Sequence, residues 1–345
     1  MSNPVSADAR AAALHRFVAA QLRNDCFSIA PASEDASFRR YFRVTPTAAG
    51  SLAGDRASVI AMDAPPPMED CRPFVRIARL LIDAGVHAPE VLAQDLEQGF
   101  LLLTDLGTTT YLEALDADSA HALYMDAIDA LVRWQQSTRE GVLPEYDESL
   151  LAREIGLFPD WYAKRHIEQP LSSTQAARFA EIQRIVLANN LAQPRVFVHR
   201  DYHSRNLMVT QPNPGVLDFQ DAVHGPITYD LVSLLRDAYI DWDEQRELDW
   251  AIRYWERARK AGLPVGSDFA EFWRDYEWMG VQRQLKVLGI FARLCHRDGK
   301  RRYLDDMPRV MGYLRRACRR YRELNPLLAL LDELHEVDSR VRYTF

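Results

Sequence analysis

The sequence predicts an α+β protein with a small, β-rich amino-terminal lobe and a large, mostly helical carboxy-terminal lobe. Three observations lead to this fold class. Two hairpin patterns lie before residue 105, helical periodicity dominates after residue 107, and Asp105-Leu106-Gly107 stands where the character changes. We therefore expect a first lobe at residues 1–105 and a second lobe at residues 106–345, joined by a hinge near Asp105.

The first lobe is predicted from hydrophobic periodicity and turn residues. Leu14, Phe17 and Val18 recur on one side of an amphipathic helix. A second helix is capped by Asp70 and ended by Gly85. The helices are expected at residues 8–24 and 71–84. Apolar runs bounded by turn residues predict the strands of two hairpins. These strands are expected at residues 38–44, 58–62, 91–93 and 100–104.

The second lobe is predicted to be helical, with one cluster of short strands at residues 196–219. The helices follow from apolar residues that recur with a period near 3.6. They are expected at residues 118–137, 173–190, 229–240, 244–261, 267–296 and 307–324.

Composition narrows the class of partner. The net charge of −7 offers no general attraction for nucleic acid or an anionic membrane. The four cysteines form no C-x-x-C pair, and no apolar run is long enough to span a bilayer. We expect a cytoplasmic protein with no nucleic-acid or membrane partner, and no protein partner is indicated.

The run from His199 to Asn206 carries the clearest chemical signal in the chain. It lies between two apolar strands, and Asp201 and Asn206 stand five positions apart, the spacing of kinase catalytic loops. Phosphoryl transfer from ATP needs a carboxylate that accepts the proton of the attacking hydroxyl, and oxygen ligands for Mg²⁺. We therefore predict Asp201 as the catalytic base and Asn206 as a metal ligand, with ATP and Mg²⁺ as cofactors.

A tight hairpin is predicted to bring a second carboxylate to this loop. Residues 210–215 are rich in Pro, Asn and Gly and separate the short strand at 207–209 from Val216-Leu217-Asp218-Phe219. The hairpin would return the chain beside Asn206. We therefore predict Asp218 as the second metal ligand.

Three other interpretations stay open on the residues alone. The loop could be an ordinary polar turn between two strands. In a continuous strand His199, Asp201 and His203 would share one face and, with Asp218, could ligate the metal of a hydrolase. A pseudokinase that binds nucleotide without turnover is suggested by phosphate-binding residues that are missing from the sequence.

With these residues the sequence resembles the aminoglycoside phosphotransferase and choline kinase family. The resemblance covers residues 25–325 and is carried by the run 199–206, by Leu217-Asp218-Phe219-Gln220 and by Tyr229-Asp230-Leu231. It implies the two-lobed protein-kinase-like fold and an alcohol group as the phosphoryl acceptor. It also implies that Asp230 and His199 support the backbone of the catalytic loop.

A closer resemblance is to the anomeric kinases of N-acetylmuramate and N-acetylglucosamine. It is carried by residues 33–44, by Met62-Asp63-Ala64-Pro65-Pro66 and by residues 217–237. It implies transfer to the anomeric hydroxyl of an amino sugar, giving a sugar 1-phosphate for peptidoglycan recycling. Aminoglycosides, choline-like alcohols and homoserine stay open as other acceptors.

The phosphate-binding part of the predicted site departs from the kinase pattern. No glycine-rich loop is present, so the hydroxyls of Ser33 and Ser37 are expected to bond the phosphates. Met62 stands where kinases carry a lysine. We expect Arg40 or Arg43, with Arg43 favoured, or the metal itself to supply the missing charge.

The remaining expected contacts concern the base and the sugar. An apolar strand enters the hinge, so the adenine is expected beside Leu103, Thr104 and Leu106. Sugar hydroxyls call for side chains that donate and accept hydrogen bonds near Asp201. These are expected to be His203, Arg205, Asp221 and His224. A substrate carboxylate would need a cation, for which Arg205, Arg283 and Arg293 are candidates.

Overall fold

The computed structural model describes residues 7–34, 38–47 and 56–342. The chain forms two compact units, Met1–Thr109 with Met208–Asp221, and Thr110–Leu207 with Ala222–Phe345. The first unit thus includes a segment, Met208–Asp221, that the sequence analysis assigned to the second lobe. Backbone hydrogen bonds explain this, since Val209 N donates to Thr109 O and Val216 N donates to His87 O, at 2.9 and 2.8 Å.

The first unit is built on a five-stranded antiparallel sheet in the order β1-β2-β3-β5-β4. Its strands are β1 (Phe27–Glu34), β2 (Arg40–Pro46), β3 (Val59–Asp63), β4 (Val91–Asp95) and β5 (Phe100–Thr104). Both hairpins expected from the sequence are confirmed, because β2 pairs with β3 and β4 pairs with β5.

The strand β1 was not expected from the sequence. Pro31 and several small polar residues interrupt its apolar pattern, and the register shifts between Pro31 and Ser33. A proline cannot donate to a neighbouring strand, and β1 tolerates it because it lies at the edge of the sheet.

Two helices accompany this sheet, α1 (Ala7–Leu22) and α2 (Arg72–Asp83), close to the expected bounds. Cys71, rather than the expected Asp70, occupies the N-cap position of α2. The Asp70 carboxylate instead accepts the backbone N–H of Arg72 at 3.0 Å. The apolar faces of α1 and of the sheet form one buried cluster. Its members are Leu14, Phe17, Val18, Phe27, Val44, Val59, Ala61, Phe100 and Leu102.

The second unit is mostly helical. Its helices are α3 (Tyr111–Ala114), α4 (Ala120–Gln136), α5 (Glu148–Ile155), α6 (Ser173–Ala192), α7 (Tyr229–Leu235), α8 (Glu244–Lys260), α9 (Phe269–Asp298), α10 (Met307–Arg320) and α11 (Asn325–Arg342). A π-helix spans Phe158–His166, and two 3₁₀ turns span Arg301–Leu304 and Arg322–Leu324. These elements confirm the α+β fold class, while α3, α5, the π-helix and α11 were not predicted from the sequence.

Short strands frame the predicted catalytic loop. The strand β6 (Arg195–Val198) pairs antiparallel with β9 (Val223–Pro226), and β7 (Leu207–Met208) pairs with β8 (Gly215–Val216). The short hairpin expected after the loop is therefore confirmed. No described helix combines the length and apolar character needed to cross a membrane.

The helix expected at residues 229–240 is shorter than predicted and ends at Leu235. Side chains just beyond it explain the difference. Arg236 is buried and donates to Glu247 and Glu277, and the Asp237 carboxylate accepts the backbone N–H of Ser204 at 2.8 Å. These buried charge-assisted contacts hold the chain out of helical geometry.

Candidate active site

The predicted catalytic loop, residues 199–206, is anchored by Asp230, the second residue of α7. Its carboxylate accepts the backbone N–H groups of His199 and Arg200, at 2.6 and 3.0 Å. Arg200 has a φ of 79°, a left-handed conformation that non-glycine residues seldom adopt without such support. The anchoring carboxylate thus holds a strained backbone at the point where the strand β6 turns into the loop.

Burial decides the electrostatics of Asp230. Its side chain is fully buried, and this raises its pKa to about 6, although His199 and the two backbone donors act in the opposite direction. His199 is also buried, and its Nδ1 accepts the backbone N–H of Asp201 at 3.2 Å. Both residues named as supports of the loop therefore contact its backbone.

Asp201 itself presents a partly open carboxylate. Its side chain is 42% exposed, and Arg283 Nη1 lies 4.0 Å from its Oδ1. Desolvation opposes the charge on this carboxylate, but the nearby cations Lys286 and Arg283 outweigh it and hold its pKa well below the usual range. The group is therefore an ionised hydrogen-bond acceptor at neutral pH.

The rest of the loop closes on itself through Asn206. Its amide Nδ2 donates to the carbonyl of Asp201 at 2.9 Å, and its backbone N–H donates to the carbonyl of His203 at 2.9 Å. Because the nitrogen end of the amide faces the loop, the oxygen end is the one suited to a hard cation.

A buried network of charges supports Asp201 from α9 and α5. Lys286 Nζ lies 3.1 Å from the Glu154 carboxylate and donates to the hydroxyl of Tyr229 at 2.9 Å. Arg200 donates to the same Glu154 at 2.5 Å, and Tyr146 donates to it as well. Burial opposes the charge on Glu154, but Lys286 and Arg200 outweigh it and keep its pKa low.

Two of the residues expected to bind the sugar surround an aromatic ring beside the loop. The guanidinium of Arg205 stacks over the Tyr239 ring at 3.6 Å, and the His203 ring meets the same ring edge-on at 5.4 Å. His203 Nδ1 is buried and has no hydrogen-bond partner within the described parts of the chain. Burial lowers the pKa of His203, although Asp237 and Asp201 oppose this, so the imidazole is neutral at pH 7.

His224 and Asp221 have different surroundings. His224 lies within β9 opposite Phe197, with its Nδ1 3.0 Å from Glu145, which also pairs with Arg195 at 2.7 Å. These contacts favour a structural role for His224, in which it holds β9 in place. Asp221 is exposed and lies at the end of the first unit.

In the first unit, Asp218 occupies a strained position that aims its carboxylate outward. Its φ is 60°, its side chain is 41% exposed, and Gln220 Nε2 donates to its Oδ1 at 2.8 Å. The next residue, Phe219, is buried against Phe74 of α2, with ring centroids 4.7 Å apart. The buried ring fixes the segment and leaves the carboxylate accessible.

The candidate replacements for the kinase lysine have distinct surroundings. Met62 is fully buried in β3 and opposite Tyr41 and Leu101, so it offers no charge. Arg43 donates to Asp105 and to the carbonyl of Gly107, contacts that favour a structural role. Arg39, which was not predicted from the sequence as a site residue, has its Nη2 3.6 Å from Asp218.

The residues expected near adenine lie on or after β5. Leu103 and Leu106 are buried, and Thr104 is half-buried and its hydroxyl accepts the backbone N–H of Glu90 at 2.9 Å. Ser33 lies at the end of β1, and Ser37 lies outside the described residues.

The ligand set of the hydrolase interpretation is not assembled. Across residues 7–34, 38–47 and 56–342, no group of three His, Cys, Asp or Glu side chains could hold a metal ion. His199 instead accepts a backbone N–H, and His203 stacks on Tyr239.

Three residues near the site were not predicted from the sequence, namely Lys286, Glu154 and Tyr239. The proximity of Arg283 to Asp201 was not predicted either. One signal was present for Lys286, a cation within the otherwise apolar stretch 285–291. A charged residue on a buried helix face needs a partner, so such a lysine points to a buried carboxylate elsewhere in the chain.

Comparison with known proteins identifies the family. A model described as the phosphotransferase enzyme family (APH) matches residues 28–267. A protein of Pseudomonas aeruginosa named N-acetylmuramate/N-acetylglucosamine kinase is 55% identical over 304 residues, 88% of each chain. A protein of the same name from Neisseria meningitidis is 51% identical over 312 residues, 89% of this chain and 91% of the other.

Solved structures share the fold at low sequence identity. An ADP-bound aminoglycoside phosphotransferase superposes with a TM-score of 0.56 at 15% identity, covering 88% of this chain and 97% of the other. Choline kinase from Cryptosporidium parvum gives a TM-score of 0.60 at 12% identity, covering 89% and 94%. These likenesses establish a protein-kinase-like fold. Given the family match over most of its length and relatives identical at more than half of the aligned positions, the chain belongs to the phosphotransferase enzyme family.

Proposed function

We propose that this phosphotransferase transfers the γ-phosphoryl group of ATP to the anomeric hydroxyl of N-acetylmuramate and N-acetylglucosamine. Relatives at 51–55% identity over most of the chain carry the name of a kinase for these two sugars. The observation that carries the chemistry is the partly open carboxylate of Asp201, 4.0 Å from the Arg283 guanidinium, in a loop that Asp230 anchors.

In the proposed reaction Asp201 acts as the general base. The sugar hydroxyl oxygen attacks the γ-phosphorus, its proton passes to a carboxylate oxygen of Asp201, and the bond between the γ-phosphorus and the bridging oxygen breaks to release ADP. The depressed pKa of Asp201 keeps this carboxylate ready to accept a hydrogen bond from the hydroxyl and orient it. Much of the effect of such a base is positioning.

The donor set suits a magnesium ion. Asn206 and Asp218 offer an amide oxygen and a carboxylate, and Mg²⁺ prefers oxygen ligands and keeps several waters. Gln220, which donates to Asp218, has a buried Oε1 without a partner among the described residues, as expected where a further donor or a hydrated ion belongs. When bound, Mg²⁺ would neutralise charge on the phosphates.

The proposal also assigns binding roles. We place the nucleotide with the first unit, with the base beside Leu103, Thr104 and Leu106 and the phosphates near Ser33 and Ser37. His203, Arg205 and Asp221 would contact the sugar, and a lactyl carboxylate would find a cation in Arg205 or Arg283. We expect the protein to act in the cytoplasm, where ATP is available.

The function is tested by following ADP release with a panel of acceptors. The panel holds the two N-acetylated sugars, an aminoglycoside, choline and homoserine, and phosphorus NMR of the product distinguishes an anomeric phosphate from a 6-phosphate. ADP release with both sugars and an anomeric phosphate is the expected result. ADP release with only one of the other acceptors would identify that acceptor class as the substrate. Nucleotide binding without ADP release would favour the pseudokinase.

Asp201→Asn supplies the matched control. We expect turnover to fall by about 10²–10⁴, since general-base positioning is lost, while nucleotide affinity is retained. Turnover like that of the wild type would rule out Asp201 as the base.

A further inference from the structure

Three arginines, Arg39, Arg40 and Arg43, lie at or just before β2, in the unit where Met62 stands in the place of the kinase lysine. Any of them could supply a cation for the phosphates of a nucleotide. Their guanidinium groups meet different carboxylates in the structure, and these partners separate the three roles.

Arg40 is committed to a buried carboxylate. Its Nε donates to Asp63 Oδ2 at 3.1 Å, and the Asp63 side chain is fully buried at the end of β3. Arg10 of α1 donates to the other oxygen of Asp63 and to the carbonyl of Gln98. Because a buried charge must keep its partners, Arg40 is held at Asp63 and links β2 to β3, while Arg10 links α1 to the same carboxylate.

Arg43 is committed to the end of β5. It donates to both carboxylate oxygens of Asp105, at 2.6 and 3.1 Å, and to the carbonyl of Gly107 at 2.8 Å. Ser58 donates to the same carboxylate at 2.6 Å. A bidentate pair with a further backbone acceptor occupies both Nε and Nη2 of this guanidinium.

Arg39 meets a different partner. Its Nη2 lies 3.6 Å from Asp218 Oδ1, beyond direct hydrogen-bond distance, and only 12% of its side chain is exposed. Its position is fixed on one side by the neighbouring Phe38, whose backbone N–H donates to Glu69 at 3.1 Å. Asp218 is fixed on the other side by Phe219, buried against Phe74.

We propose that Arg39 binds the phosphate oxygens of the nucleoside triphosphate, in place of the lysine that Met62 replaces. This rests on the proposed function, in which Asp218 takes the metal that also bridges the phosphates. A cation beside that carboxylate is therefore beside the phosphate oxygens. The planar guanidinium also presents its donors in a fork that matches phosphate, whereas a buried methionine presents none.

The competing role for Arg39 is purely to neutralise Asp218. The two roles predict different dependence on the nucleotide. A phosphate-binding arginine adds affinity for a triphosphate with or without Mg²⁺ and adds none for adenosine. An arginine that only balances Asp218 acts through the metal, so without Mg²⁺ its loss would not weaken triphosphate binding relative to adenosine binding.

The test measures binding by calorimetry with and without Mg²⁺, with a non-hydrolysable ATP analogue, ADP and adenosine as ligands. For Arg39→Ala we expect the analogue to bind about 10-fold to 100-fold more weakly, since a charge-assisted contact is lost, with adenosine affinity unchanged. Arg39→Lys should recover part of the loss. Arg72→Ala, an exposed arginine of the same unit, is the matched control and should keep the ratio of affinities.

Arg43→Ala is compared in parallel. Because Arg43 is bound to Asp105, this variant should lower the melting temperature and keep the ratio of analogue to adenosine affinity. An unchanged ratio in Arg39→Ala would overturn the proposal, as would a loss of analogue affinity confined to Arg43→Ala. If Arg39→Ala does not fold, Arg39→Gln decides by the same ratio. A wild-type protein that binds no triphosphate would instead contradict the proposed function itself.

Discussion

The guanidinium of Arg283, buried on the long helix α9, lies 4.0 Å from the carboxylate of Asp201. No sequence pattern near Asp201 predicts this contact, because the two residues are far apart in the chain. The separation is short enough for a strong electrostatic effect and too long for a direct hydrogen bond. Arg283 therefore shapes the acidity of the proposed base while leaving its oxygens accessible to an acceptor.

Replacing Arg283 by Gln should shift the pH dependence of catalysis. The pKa of Asp201 lies well below its usual range because Lys286 and Arg283 outweigh its desolvation. Loss of one cation should raise that pKa, because less positive charge then offsets the desolvation. A protonated carboxyl cannot accept a proton, so the acid limb of kcat/KM against pH should move to higher pH.

Arg274→Gln is the control for this profile, because Arg274 lies on the same helix but pairs with Glu323 at the surface. It should leave the acid limb in place. The lowered pKa of Asp201 also affects the stability of the fold. Because folding lowers this pKa, the carboxylate stabilises the protein above the ordinary carboxyl pKa, and this contribution is lost as the pH falls. An acid limb at the same pH in Arg283→Gln as in the wild type would contradict the role of Arg283 in lowering the pKa of Asp201.

Asp230→Asn should loosen the catalytic loop. An amide can accept only through its oxygen, so one of the two backbone N–H groups now held by the carboxylate loses its acceptor. We expect a loss of about 1–3 kcal/mol in the free energy of unfolding and a lower kcat. Urea unfolding and steady-state kinetics measure the two effects, and unchanged values in both would rule out the anchoring role.

The same substitution should change the pH dependence of stability. Burial raises the pKa of Asp230 to about 6, so folding favours its neutral form. Its contribution is then complete below the ordinary carboxyl pKa and is lost as pH rises through about 6. The stability advantage of the wild type over Asp230→Asn should therefore shrink between pH 4 and pH 7. An advantage that grows over this range would contradict the raised pKa.

The buried pair of Glu154 and Lys286 should be worth far more than a surface pair. Lys286→Met leaves the Glu154 carboxylate with Arg200 as its remaining strong cation, and we expect a loss of about 3 kcal/mol in the free energy of unfolding. The double variant with Glu154→Gln should lose less than the sum of the single variants. The exposed pair of Arg184 and Glu181 is the control, where Arg184→Met should leave the free energy of unfolding nearly unchanged.

Two glycines in helices should respond in opposite directions to alanine. At Gly289 of α9 a Cβ would lie 2.5 Å from Leu157, at the start of the π-helix, so Gly289→Ala forces the two elements apart and should cost about 1–3 kcal/mol. At Gly312 of α10 a Cβ meets nothing within 4 Å. Gly312→Ala should stabilise by up to about 1 kcal/mol, since glycine is a poor helix former. Melting temperatures distinguish the two, and equal shifts would contradict the close packing at Gly289.

Local patterns were sufficient for the elements and for the loop. The hairpin from β2 to β3, the helix α2 and the short β7–β8 hairpin follow from alternation, capping and turn residues that lie close together in the chain. The spacing of Asp201 and Asn206 is likewise a property of a few consecutive residues. The elements that were missed lack such a pattern, as in β1, where Pro31 breaks the alternation.

The sequence by itself determined the fold class and the identity of the proposed base and metal ligands, because these depend on periodicity and spacing within short segments. Only the tertiary structure decided which charges surround them. Lys286, Glu154 and Arg283 meet near Asp201 because α5 and α9 pack together, and the three arginines at β2 differ only in which carboxylate each one reaches. A charge acts over a few ångströms in space, and no local pattern in the chain encodes that distance.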